Sequence, residues 1–100
     1  MSGYDFNRPY IEHAAMARAQ ARDDATADEY GRVVLAADLT NMEYKLRFQR
    51  LNASHPMKSP PSAKRIFPGY LVVRHLGQQN QYETWMPDDV FEELYELGGA

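Results

Sequence analysis

The stretch TADEYGRVVLAADLTNMEYKLRFQRLN, residues 26–52, decides how the chain is read. It contains no proline, and Thr26 and Glu29 have the T-x-x-E spacing of a capping box, with Asp28 in the same first turn. Gly31 falls near the start, where a weak helix former costs little, and Lys45, Arg47 and Arg50 lie near the end, where cations suit the helix dipole. The pattern predicts one helix of about 26 residues, about 39 Å long at a rise of 1.5 Å per residue. On such a helix Tyr30, Val33, Val34, Ala37, Tyr44, Phe48 and Leu51 share one stripe, and Leu35, Leu39, Met42 and Leu46 share the opposite one. A surface helix has one apolar face, so two stripes need two coverings. A second copy of the chain is one way to supply the second, which makes Leu35, Leu39, Met42 and Leu46 the candidate partner-binding row and predicts a homo-dimer.

Upstream, Asn7 and Pro9 suit the cap and first turn of a helix, and PYIEHAAMARAQARDD is alanine-rich and helix-forming. Downstream, NASHPMKSPPSAKRIFPG holds four prolines and three serines without periodicity and reads as a linker. YLVVRHL then has strand composition, GQQNQ reads as a turn, and YETWM alternates, with Tyr82, Thr84 and Met86 on one face and Glu83 and Trp85 on the other. The two runs predict a β-hairpin. Pro87 ends the second strand and opens a helix capped by Asp88 and Asp89. Val90, Phe91, Leu94, Tyr95 and Leu97 make its apolar stripe, Gly98-Gly99 stops it, and Trp85 anchors the corner. The expected architecture is α+β in a single domain over 1–100. It comprises two N-terminal helices, the second one long (1–53), a Pro-rich linker (54–69), and a β-hairpin with a short C-terminal helix (70–100).

With 100 residues, 44% of them apolar, the chain suits one domain with a real core. There are no cysteines, which excludes disulfides, thiolate nucleophiles and cysteine metal sites. No run of about eighteen apolar residues predicts a membrane span, and the N-terminus lacks a signal-peptide pattern, so a cytoplasmic location is expected. The net charge of −3 is unevenly spread. Lys45, Arg47, Arg50, Lys58, Lys64, Arg65 and Arg74 fall in a span without any acid, and everything charged from Glu83 onward is acidic. The acidic tail folding back on the basic middle is one reading of this segregation; an anionic ligand held by those seven residues is the other.

Signatures of chemistry are missing. The serines lie at a terminus or in the linker, without a glycine elbow. His13, His55 and His75 are isolated in sequence and read as surface histidines, with no H-x-x-x-H or H-E-x-x-H. The glycines form no phosphate cradle. No catalytic residue, metal ligand or cofactor is predicted, and the chain reads as a non-enzymatic protein.

One segment resembles a known group. The strand Tyr82-x-Thr84-Trp85-x-Pro87, followed by Phe91-Glu92-x-x-Tyr95 and preceded by GYLVVR, resembles a unit in small accessory proteins of tailed bacteriophages. Met86 stands where those proteins often carry a serine. The resemblance spans residues 69–95 and implies a phage or prophage origin and a place in the host-cell cytoplasm. Combined with the elimination above, it leads to an expected function. The chain would bind and modulate a host or defence protein by steric occlusion, with inhibition the expected effect, as a host-takeover or anti-defence factor. The alternative is a nucleic-acid or nucleotide-binding module that uses the basic middle segment.

Overall fold

In the computed structural model, which describes residues 7–62 and 64–98, Val33–Asp38 is a β-strand and not the middle of a helix. The expected order of N-terminal helices followed by a hairpin is replaced by a five-stranded antiparallel sheet with three helices interleaved among its strands. The strands are β1 (Ala17–Ala21), β2 (Val33–Asp38), β3 (Gly69–Arg74), β4 (Tyr82–Pro87) and β5 (Tyr95–Leu97), in the spatial order β4-β3-β2-β1-β5. The helices are α1 (Asp24–Tyr30), α2 (Asn41–Leu51) and α3 (Asp88–Leu94).

The long helix fails at two points. Gly31 takes φ 111°, outside the helical region, and its N–H closes α1 on the Ala27 carbonyl at 3.0 Å. Asp23, not Thr26, caps α1, accepting from the Thr26 N–H at 2.8 Å. The capping box is built instead at Thr40 and Glu43. Thr40 Oγ1 accepts from the Glu43 N–H at 3.1 Å, and the Glu43 carboxylate accepts from the Thr40 N–H at 2.8 Å, starting α2. The opposed apolar stripes therefore do not survive: Val34 and Ala37, expected on one stripe, fall on opposite faces of β2, and Leu35, expected on the other, shares a face with Ala37. Val34 and Ala36 point to one side of the sheet, and Leu35 and Ala37 to the other. A strand covered on both faces reads as a nearly continuous apolar run, which imitates a two-sided helix.

The alanine-rich first helix is also replaced. Short 3-10 turns at Arg8–Tyr10 and His13–Ala15 lead into β1, in which Ala19 is buried. Helix propensity loses here because β1 lies between two partners, β2 and β5, which pair with its backbone on both edges.

The C-terminal third follows the expected hairpin, with Leu71 opposite Trp85 and Val73 opposite Glu83. Its connection is longer than expected, from His75 to Gln81, with positive φ at His75 and Gly77. Pro87 ends β4 and leads into α3, but the helix stops at Leu94. Tyr95–Leu97, expected as its last turn, instead forms the edge strand β5. The described residues of the proline-rich stretch before Gly69 form no helix or full strand, yet Met57 makes a parallel bridge to Glu83 along the outer edge of β4.

Both faces of the sheet are covered. On one side α2 and the N-terminal segment cover Leu71, Val73, Ala37 and Leu39, packed with Met16 and Tyr44. On the other, Phe91 and Tyr95 close over Val34, Ala36, Val72 and Met86, with Tyr30 and Tyr70 alongside. The radius of gyration is 13.1 Å, as expected for a compact chain of this length. Among the described residues no helix is long and apolar enough to cross a membrane.

Candidate functional site

Alternation along β4 aims Glu83 into the α2 side of the sheet, where a lone carboxylate is costly. Arg47 on α2 meets it there. Arg47 Nε donates to Glu83 Oε1 at 2.8 Å and Nη2 donates to Oε2 at 3.2 Å, with the two side chains 1% and 3% exposed. Arg47 Nη1 donates to the carbonyls of Pro9 at 3.2 Å and Ile11 at 2.8 Å. This residue therefore ties the N-terminal segment, α2 and the sheet together at one point.

Two histidines complete the cluster. His13 Nε2 lies 2.8 Å from Glu83 Oε2, and His55 Nδ1 lies 3.1 Å from the same oxygen. Burial raises the pKa of Glu83, but the hydrogen bonds from Arg47 and His13, with the charges of Arg47 and His55, outweigh it and hold the carboxyl below the ordinary glutamate value. A cavity of about 540 Å³ opens beside the cluster, lined by Tyr10, Leu51, Arg47 and both histidines. A smaller one of about 210 Å³ lies between His55, Gln81 and Tyr82.

A second feature lies at the corner between β4 and α3. Phe67, Pro68, Trp85, Pro87 and Val90 line an apolar groove of about 570 Å³, with Asn41, Asp88 and Asp89 as its polar edge. Trp85 forms its wall. The indole Nε1–H donates to the Leu39 carbonyl at 2.8 Å, which fixes the ring in place beside the groove. Asn41 holds the facing loop by accepting from the Phe67 N–H at 2.7 Å and donating to the Arg65 carbonyl at 2.9 Å.

The residues singled out from sequence are dispersed. Leu39 is buried in the core, Leu35 is half-buried on β2, and Met42 and Leu46 are exposed on α2, so the four form no single helical row. Among the seven basic residues, Arg47 is spent on Glu83 and two carbonyls. Arg74 lies between the rings of Tyr30 and Tyr82, at 5.2 and 5.3 Å from their centroids. Lys45, Arg50, Lys58, Lys64 and Arg65 remain exposed. The acidic tail reaches Arg22 of the N-terminal third, which lies 3.4 Å from Glu96. No local motif announces the His13–His55–Glu83 cluster, since its members are far apart in sequence. The one available signal is an acid at an inward position of an alternating strand, which requires a buried partner.

Compared with known proteins, the chain matches no family model, no curated protein and no solved structure.

Proposed function

We propose that the protein is a non-enzymatic binding protein that occludes a partner by taking an apolar segment of it, flanked by basic residues, into the Phe67–Trp85 groove. The observation that supports this is the exposure of large apolar side chains at that place. Ile66 and Phe67 are 69% and 45% exposed and Val90 is 38% exposed, beside the aspartates at the groove's edge. Adjacent exposed apolar residues around a concave apolar surface favour a protein partner, and the carboxylates of Asp88 and Asp89 favour a basic one. A host protein, the target implied by the resemblance to phage accessory proteins, is one such partner.

Trp85 is the chain's one tryptophan, so its emission reports on the groove directly. Titration with a synthetic peptide carrying leucine or phenylalanine between lysines should shift that emission saturably. Phe67→Glu should abolish the shift, and the same peptide with glutamates in place of lysines should bind poorly. Equal binding of both peptides, or an unchanged response in Phe67→Glu, would remove the reading. A second copy of the chain in the groove would appear in light scattering as twice 11.5 kDa. Salt-sensitive retention of the intact protein on nucleic acid would instead favour the exposed lysines and arginines of the middle segment.

A further inference from the structure

We propose that His13, His55 and Glu83 form a binding site for a divalent transition-metal ion of the zinc class. The three donor atoms lie within 4.8 Å of one another. Two of the separations, 2.8 and 3.1 Å, both run to the single oxygen Oε2 of Glu83. Tetrahedral zinc with bonds of about 2.0–2.1 Å places neighbouring ligand atoms about 3.3 Å apart, so small movements open these contacts to admit the ion. Two imidazoles and a carboxylate are a donor set that zinc uses where a fourth position stays open. Here the histidines, 35% and 36% exposed, border the 540 Å³ cavity, from which a water molecule can fill that position.

The site is held in shape without the ion. Glu83 is fixed by its strand, and its own backbone pins the His55 loop. The Glu83 N–H donates to the Pro56 carbonyl at 3.0 Å, and the Lys58 N–H donates to the Glu83 carbonyl at 2.8 Å. The segment bearing His13 is held through Arg47, which binds the Pro9 and Ile11 carbonyls. Arg47 also orients the carboxylate through Oε1, the outer hydrogen bond that ligating carboxylates commonly carry. Its longer contact to Oε2, at 3.2 Å, is the one an ion would displace. The guanidinium charge opposes a cation, so affinity falls below that of a closed all-cysteine or all-histidine site.

The test uses the untagged full chain with Co²⁺ and Zn²⁺ as the probes. One Co²⁺ per chain should bind at neutral pH, give the strong visible absorption of a four- or five-coordinate ion, and be displaced by Zn²⁺. His13→Gln and His55→Gln should each weaken binding by about tenfold or more, and His75→Gln, outside the cluster, should not. Both histidines are partly exposed, and near-ultraviolet circular dichroism of each variant establishes that it folds. If either variant fails to fold, the wild-type chain decides alone: Zn²⁺ should raise its melting temperature and EDTA should reverse the rise. Absence of saturable one-to-one binding by the wild type, wild-type affinity in the folded His13→Gln and His55→Gln proteins, or equal loss in His75→Gln would overturn the assignment.

Discussion

The indole of Trp85 lies over the backbone of Gly69 on the neighbouring strand, so closely that a β-carbon at position 69 would overlap its ring and the Met86 carbonyl. The glycine and the tryptophan form a matched pair: the ring covers the backbone that the missing side chain exposes. Gly69→Ala should therefore cost about 1–3 kcal/mol by overpacking. Trp85→Ala, which also removes the bond to the Leu39 carbonyl, should cost about 3–5 kcal/mol. Urea unfolding followed by circular dichroism measures both. A Trp85→Ala protein with the wild-type midpoint would show the tryptophan to be a surface contact and not a structural one.

Arg47 and Glu83 should be far more sensitive singly than together. Arg47→Met strands a buried carboxylate and Glu83→Leu strands a buried guanidinium, at about 3–5 kcal/mol each. The double variant should recover much of the loss, because neither charge is then left unpaired. A thermodynamic cycle on chelator-treated protein reads this directly, and additive losses would contradict it.

Tyr95 should make the fold sensitive to alkali. Burial pushes its phenol up to about 12, partly countered by Arg74, and its hydroxyl donates to the Gly31 carbonyl at 2.8 Å. The folded value exceeds the ordinary value near 10, so the contribution is fully present below pH 10 and is lost as pH rises toward 12. Tyr95→Phe should flatten that part of the stability curve, at a cost of about 1 kcal/mol near neutrality for the lost hydrogen bond. Burial and the neighbouring Glu83 also push Tyr44 up, so some alkaline slope should remain. A Tyr95→Phe curve that parallels the wild type between pH 10 and 12 would contradict the assignment.

The two T-x-x-E motifs should respond differently. Thr40→Ala removes a true cap and should lower stability by about 1 kcal/mol. Glu29→Ala touches an exposed residue of a helix capped by Asp23 and should change stability by less than about 0.5 kcal/mol. Thermal melts of the two variants, compared with the wild type, decide the matter.

The C-terminal third was the legible part. Its hairpin pairs neighbours in sequence, and its alternation is local, so Tyr82, Thr84 and Met86 were separable from Glu83 and Trp85 by inspection. The N-terminal half was not legible for the opposite reason. Val33–Asp38 and Ala17–Ala21 become strands through partners far away in sequence. β2 pairs with β3 more than thirty residues on, and β1 pairs with β5 near the C-terminus. Val34, Leu35 and Ala37 fit the two stripes of a helix as easily as the two buried faces of a strand.

What the sequence determined alone was short-range: the Pro87 corner, the hairpin and the α+β class. Tertiary structure decided the sheet, and with it the meeting of His13, Arg47, His55 and Glu83. The physical reason is the same in each case. A backbone hydrogen bond or a buried charge is stabilised by whatever the fold brings to it, and that partner's distance along the chain leaves no local pattern to read.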